Sequence, residues 1–203
     1  MELRNNYHTG PIELNGTEDT EYVTVTTSIS PKYSIGHATL TANGNIIYFS
    51  SDMPGVVGGS DIWFCEKQND GTWGAPKNCG ININTVEEEA FPRMGNDDQL
   101  YYSSKGKVGM GGYDIFVSQG KMTYWTEAEN LKSPINSTSD DFYLTTKDGL
   151  TGYLSSNREG GAGSDDIFSF SRIKVPIVPT LRGLVIDKNT RKRIGGATVN
   201  LNN

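Results

Sequence analysis

Short apolar runs, separated by polar and glycine-rich segments, recur along the middle of the chain. Three apolar runs end in paired serines, at Ser50-Ser51, Ser103-Ser104 and Ser155-Ser156. Each run leads through a glycine-rich stretch to an aspartate followed by isoleucine, at Asp61, Asp114 and Asp166. Equivalent residues are 52 to 53 positions apart. A period of this length indicates supersecondary units that bury their apolar faces only by stacking on one another.

Each repeat predicts four short antiparallel strands. The first strand is expected at residues 38–41, 91–94 and 143–146, and a tight turn follows it at Asn43-Gly44, Asn96-Asp97 and Asp148-Gly149. Asn-Gly and Asp-Gly pairs favour hairpins because the turn needs positive φ angles. The second strand carries the paired serines, the third begins at the Asp-Ile pair, and the fourth passes through Trp73 or Trp125.

Four short strands per repeat, without an amphipathic helix between them, are typical of a propeller blade. We therefore predict an all-β fold, an incomplete β-propeller of four-stranded antiparallel blades at 37–89, 90–141 and 142–173. Residues 1–36 are expected to form a partial or degenerate blade. Residues 174–180, with two prolines, are predicted to be an extended linker. Residues 181–203 predict the truncated start of a β-sandwich. The blade number, ring closure and whether the chain is a fragment stay open.

The charge composition limits the kinds of molecule that the protein is expected to bind. The net charge of −6 argues against nucleic acid and anionic membranes, because both favour basic patches. The one basic run, at 188–193, has no interleaved aromatic residue and is interpreted as a solvated turn. No apolar stretch approaches the roughly 20 residues that span a bilayer. The first residues do not resemble a secretion signal, so the sequence itself leaves open whether the protein is cytosolic or has lost its N-terminus.

Few residues suggest metal or redox chemistry. The chain has two histidines, His8 and His37, and no clustered His/Cys spacing, so neither a metal nor a cofactor is expected. Cys65 and Cys79 could form a disulfide, but a hairpin centred near Asp70 would place Cys65 opposite residue 75. Two separate thiols are the favoured interpretation, and a disulfide stays open.

The repeats resemble a known family. Residues 37–44, 48–52 and 58–63 resemble the WD-like propeller repeat of the TolB type, in the version found in OmpA-family envelope proteins of Bacteroidetes-like bacteria. The likeness covers about residues 37–170 and, more weakly, 7–11. Residues 181–187 and 194–199 look like the start of a carboxypeptidase-regulatory-like domain.

The resemblance implies a location and a set of partners. Such a protein would lie in the periplasm or on the periplasmic side of the outer membrane and contact other envelope proteins. Peptidoglycan binding would need an OmpA-like domain that these residues do not contain.

The repeated residues favour structural roles. Asp61, Asp114 and Asp166 could form a ring of carboxylates that binds metal or substrate, but equivalent positions on different blades are too far apart to converge. We expect each to fix the entry to its third strand. The serine pairs lack a nucleophile elbow and a triad-like histidine. Trp73 and Trp125 could stack on sugars, although their 52-residue spacing favours core or inter-blade packing.

The glycine-rich loops at 53–59, 105–112 and 157–163 join second to third strands. They should emerge at the same end as the fourth-to-first connections. This end offers a candidate partner-binding face with six charged side chains, Lys105, Lys107, Arg158, Glu87, Glu88 and Asp140. An equally weighted alternative to a partner-binding face is that the glycines of these loops only allow the backbone to turn.

The sequence thus predicts a non-enzymatic propeller scaffold or protein-binding platform. The alternatives are a propeller-framed enzyme, either a glycan hydrolase or a peptidase, and a periplasmic sugar- or peptide-binding module.

Overall fold

The computed structural model describes residues 32–96, 98–173, 183–196 and 198. The predictions for residues 1–31 and for the 174–180 linker lie outside the described residues. Every regular element in the described part is a β-strand, which confirms the all-β prediction.

The strands form three successive antiparallel sheets, one for each repeat. The first sheet contains β1 (Ile35–Leu40), β2 (Ile46–Ser51), β3 (Asp61–Glu66) and β4 (Lys77–Asn78). The second contains β5 (Glu89–Met94), β6 (Gln99–Ser104), β7 (Asp114–Lys121), β8 (Tyr124–Trp125) and β9 (Glu129–Asn130). The third contains β10 (Asp141–Thr146), β11 (Thr151–Ser156) and β12 (Asp166–Ser171).

The sheets differ from the predicted pattern at their edges. They contain four, five and three strands instead of four each, and each first strand begins two or three residues earlier than the sequence predicted. The outer part of the second sheet consists of two short strands that both pair with β7. Trp125 lies in β8, whereas Trp73 makes only an isolated bridge with Lys67. The two tryptophans therefore occupy different structural positions despite their regular spacing.

A β-bulge recurs in the first strand of every sheet. The register shifts between Gly36 and Thr39 in β1 and at the equivalent places in β5 and β10. The bulged residues His37, Phe91 and Tyr143 have φ angles of 54°, 56° and 53°. Left-handed backbone costs a non-glycine residue about 1–2 kcal/mol. Recurrence of the same bulge shows that it belongs to the repeat and is not a local accident.

Of the three buried apolar clusters in the described part, two lie between successive sheets. Tyr48, Ile62 and Phe64 of the first sheet form one buried cluster with residues of the second sheet, including Leu100, Tyr102 and Trp125. Tyr101 and Ile115 on the other face of the second sheet pack with Leu144 and Leu154 of the third. Strand β5 also contacts β1 on one side and β10 on the other. The sheets thus stack face to face with their first strands side by side.

The two cysteines are free and buried. Cys65 belongs to a cluster on the outer face of the first sheet with Phe49 and Trp63, whereas Cys79 lies between the first and second sheets. The interpretation as two separate thiols therefore agrees with the structure. Burial raises the pKa of both thiols, so neither is expected to be a reactive thiolate at neutral pH.

Residues 173–203 form a separate unit. Its described part contains an isolated bridge between Ile186 and Arg193 and a turn in which Asp187 accepts hydrogen bonds from Asn189 and Thr190. The start of a β-sandwich predicted at 181–203 falls only partly on described residues, and within 183–196 and 198 this bridge is the one strand pairing.

Candidate functional site

One end of the sheets gathers the glycine-rich loops and the connections that lead into the next sheet. We call this end the loop face and define it as residues 53–60, 81–88, 105–113, 132–140 and 157–163. Gly59 N donates to Glu87 O at 2.7 Å, and Asp141 N donates to Tyr113 O at 2.8 Å. These backbone hydrogen bonds bring the two kinds of connection together, as the meander order requires.

The repeated aspartates hold the loops of their own sheets. Asp61 Oδ2 accepts Val57 N at 2.8 Å, Asp114 Oδ2 accepts Met110 N at 2.8 Å, and Asp166 Oδ2 accepts Gly163 N at 2.8 Å. Each carboxylate thus serves a different sheet. No group of three or more His, Cys, Asp or Glu in the described part could hold a metal ion.

A pair of buried asparagines fixes the connections after the outer strands. Asn84 Oδ1 accepts Ile62 N at 2.8 Å, and its Nδ2 donates to Ile62 O at 3.0 Å. Asn136 makes the same two bonds to Ile115, at 2.8 and 2.9 Å. The 52-residue spacing was the available signal, yet sequence reasoning assigned these asparagines no role. An amide side chain that satisfies both backbone groups of one residue acts as an extra strand partner.

Two buried carboxylates tie each connection to the sheet that follows it. Glu89 accepts hydrogen bonds from Thr85 N at 2.6 Å and from the hydroxyls of Thr85 and Ser104 at 2.7 and 2.6 Å. Burial raises the pKa of Glu89 despite these three donors. Asp141, the equivalent residue of the third sheet, accepts Ser137 N at 2.5 Å and also binds Arg158.

The side chain of Arg158, a predicted partner-binding residue, is hydrogen-bonded to other residues of the same molecule. Its guanidinium donates to the buried Asp141 carboxylate, to Pro134 O at 2.9 Å and to Ile135 O at 2.6 Å. Its Nε donates to Ser156 Oγ at 3.0 Å. Arg158 therefore joins the third sheet to the connection leading out of the second.

Lys105 and Glu88 form an ion pair at 2.6 Å on the surface of the loop face. Tyr113 contributes twice, since its hydroxyl donates to Glu88 Oε2 at 2.9 Å and its ring centroid lies 4.6 Å from Lys105 Nζ. The hydrogen bonds from Lys105 and Tyr113 hold the pKa of Glu88 below its usual value.

Two further candidates have internal partners, and one is open to solvent. Lys107 Nζ donates to Asn82 O at 2.9 Å, and burial lowers the pKa of Lys107. Asp140 Oδ1 accepts Tyr113 N at 2.7 Å. Glu87 is exposed. Five of the six charged candidates thus hold the loops together, which is a role that sequence reasoning did not give them.

Exposed aliphatic side chains occupy the same loops. They are Val57 (45% exposed), Ile81 (80%), Val86 (76%), Val108 (94%) and Met110 (48%). Close approach of the loops depends on glycine, because a Cβ added at Gly106 would overlap Thr85 Oγ1, and one at Gly58 would overlap the backbone at Val86. The loop face therefore presents apolar groups on a backbone that is fixed by buried hydrogen bonds.

A cleft of about 640 Å³ lies at the opposite end, where the first hairpins of the three sheets converge. Its lining includes Leu40, Arg93, Met94, Thr145, Lys147 and Tyr153. Sequence reasoning missed this cleft because its lining comes from three separate hairpins.

His37 and Ser50 form a pair outside the repeat pattern. His37 Nδ1 lies 2.8 Å from Ser50 Oγ, and burial lowers the pKa of the imidazole. Phe91 and Tyr143 take the place of His37 in the other sheets. Within residues 32–96 and 98–173, no carboxylate is hydrogen-bonded to this histidine, so the third member of a catalytic triad is not supplied there.

No protein-family model matches the sequence, and no curated protein is significantly similar to it. In the described part of the chain, no helix has the length and apolarity needed to cross a bilayer.

Proposed function

We propose that the three sheets are blades of a β-propeller and that the protein is a non-enzymatic scaffold that binds another protein through its loop face. The meander order within each sheet and the face-to-face stacking with adjacent first strands support the propeller assignment. The sequence resemblance to TolB-type repeats supports it independently.

The exposed aliphatic residues of the loop face are the observation that carries the binding role. Val86 and Val108 are among the most exposed apolar side chains in the described part, and their loops are held by Glu89, Asn84 and Lys107. Several exposed apolar side chains at one end of a domain favour a binding role, since contiguous apolar patches mark interaction sites. A preorganised backbone loses little conformational entropy on association.

The cell-envelope location rests on the family resemblance alone. By that resemblance, we propose a periplasmic or outer-membrane site and other envelope proteins as partners. Contact with peptidoglycan would come only through a different domain.

The binding role is tested by replacing Val86 and Val108 together with aspartate and measuring capture of envelope proteins by crosslinking and pull-down. The matched control is Tyr124→Asp, which changes an apolar side chain that is 80% exposed in β8, outside the loop face. We expect the double variant to lose its specific crosslinks while the control retains them. Equal crosslinking in all three proteins would contradict the proposed use of this face.

A second candidate is a module that binds short peptides or oligosaccharides, which the 640 Å³ cleft favours because its volume is typical of ligand pockets. Titration with peptide and oligosaccharide libraries, followed by NMR shifts of Thr145 and Tyr153, tests this function. Shifts confined to the loop face would count against it.

A further inference from the structure

Equivalent side chains in the three sheets differ sharply in exposure. Tyr48, Tyr101 and Tyr153 each lie two residues before the first serine of their serine pairs, and they are 0%, 7% and 57% exposed. Ile62, Ile115 and Ile167 each follow the repeated aspartate, and they are 0%, 0% and 77% exposed. The third sheet therefore exposes the positions that the first two sheets bury.

The structure shows what covers the first two sheets. The Tyr48 ring packs edge-on against Trp125 at 5.6 Å between centroids, and its hydroxyl accepts Met122 N at 2.9 Å. Tyr101 and Ile115 are buried with Leu144 and Leu154. In both cases the cover is the sheet of the next repeat.

The exposed positions of the third sheet lie on one face. Tyr153 is opposite Ser169, and Ser155 is opposite Ile167, in the β11–β12 ladder. Directly opposed residues share a face. The other face carries Leu154 and Phe168, which pack against the second sheet. We call the exposed side, with Tyr153, Ser155, Ile167 and Ser169, the outer face of the third sheet.

We propose that this outer face is a docking surface for one further sheet of the same 52-residue repeat. The proposal rests on the stacked-blade architecture proposed above and continues the two interfaces that the chain already contains. The docked sheet would present apolar residues on its first and second strands, as Leu144 and Leu154 do toward Tyr101 and Ile115.

A second copy of the chain is a poorer occupant. Docking in the same manner would require the corresponding face of its first sheet, where Phe49 and Trp63 are only 3% and 6% exposed. Tyr33, Val56 and Trp73 already pack against that cluster.

The test uses the full chain with residues 120–171, which are 52 residues, duplicated directly after Ser171. In this design β12 leads into a copy of the segment that follows β7 in the second sheet. A copy of the third sheet comes after that segment. Ile167→Cys in the original third sheet reports coverage through the rate at which the introduced thiol reacts with a thiol reagent. The native Cys65 and Cys79 are buried and contribute little to the signal.

We expect the labelling rate of the thiol introduced by Ile167→Cys to fall at least about tenfold from the parent chain to the extended chain, because burial permits reaction only through opening. In a matched control, the two leucines of the inserted copy that correspond to Leu144 and Leu154 become aspartate, and labelling should stay at the parent rate. A second extended chain that inserts residues 68–119 repeats the test with an equivalent block if the first fails to fold.

Unchanged labelling in a folded extended chain would overturn the proposal. Protection that appears in the parent chain as its concentration rises would also overturn it, since the occupant would then be a second copy. Neither outcome changes the crosslinking result at Val86 and Val108, so the two proposals fail separately.

Discussion

Replacement of Arg158 by alanine should strongly destabilise the first structural unit. The Arg158 side chain is 20% exposed, and the Asp141 side chain that it pairs with is fully buried. Alanine would remove the guanidinium bonds to Asp141, Pro134, Ile135 and Ser156. The main effect is a buried carboxylate that has lost its cation.

The burial of the Arg158–Asp141 pair sets the size of the expected loss in the free energy of unfolding. Breaking a buried ion pair by removing one partner costs about 3–5 kcal/mol. Asp141 would keep its bonds from Ser137 N and Oγ, so we expect the lower end, about 3 kcal/mol. For a chain of this size, that loss lowers Tm by about 6–12 °C.

Lys105→Ala is the matched control, because it also removes a cation from a carboxylate partner, here Glu88. The Lys105 and Glu88 side chains are 39% and 44% exposed, and exposed pairs contribute about 0–1 kcal/mol. Urea unfolding followed by tryptophan fluorescence measures both variants. A cost for Arg158→Ala below about 1 kcal/mol, or no larger than that of Lys105→Ala, would contradict a stabilising role for the buried Arg158–Asp141 pair.

Three further predictions concern Asn84, Gly106 and His37. Asn84→Ala leaves Ile62 N and O without their side-chain partner and should cost about 2–3 kcal/mol in urea unfolding, whereas exposed Asn43→Ala should cost under about 1 kcal/mol; equal losses would contradict the role of Asn84. Gly106→Ala should destabilise by about 1–3 kcal/mol because its Cβ would overlap Thr85, and a thermal melt indistinguishable from that of Gly36→Ala, where an added Cβ has open space, would count against this. The pKa of His37 is below 6.5 in the folded state, so its stabilising contribution is present above pH 6.5 and is lost as the pH falls through the folded pKa; His37→Phe should therefore flatten the dependence of the urea midpoint on pH between about pH 7.5 and pH 5, and an unchanged slope would refute this.

The repeat made the fold predictable to a useful degree. The paired serines and the Asp-Ile pairs locate the second and third strands of all three sheets, because each sheet pairs these strands in the same register. The first strands were placed too late, since Glu89 and Asp141 are buried carboxylates at positions where a polar residue normally indicates a connection.

The candidate site was less predictable. Charge alone suggested that Lys105, Lys107 and Arg158 face a partner, but charged side chains also satisfy carbonyl groups and carboxylates within the fold. Whether Arg158 faces solvent or Asp141 depends on residues 17 positions apart. The spacing of Trp73 and Trp125 likewise did not fix their surroundings, because the outer strands of the two sheets are built differently.

Long-range contacts between sheets provide the most direct test of the stacked-repeat account. The Tyr48 and Trp125 rings lie 5.6 Å apart between centroids, and Tyr48 Oη is 2.9 Å from Met122 N. The account predicts nuclear Overhauser contacts between these two rings and between the side chains of Tyr101 and Leu144. Their absence from a folded sample that shows the contacts within each sheet would contradict the stacking.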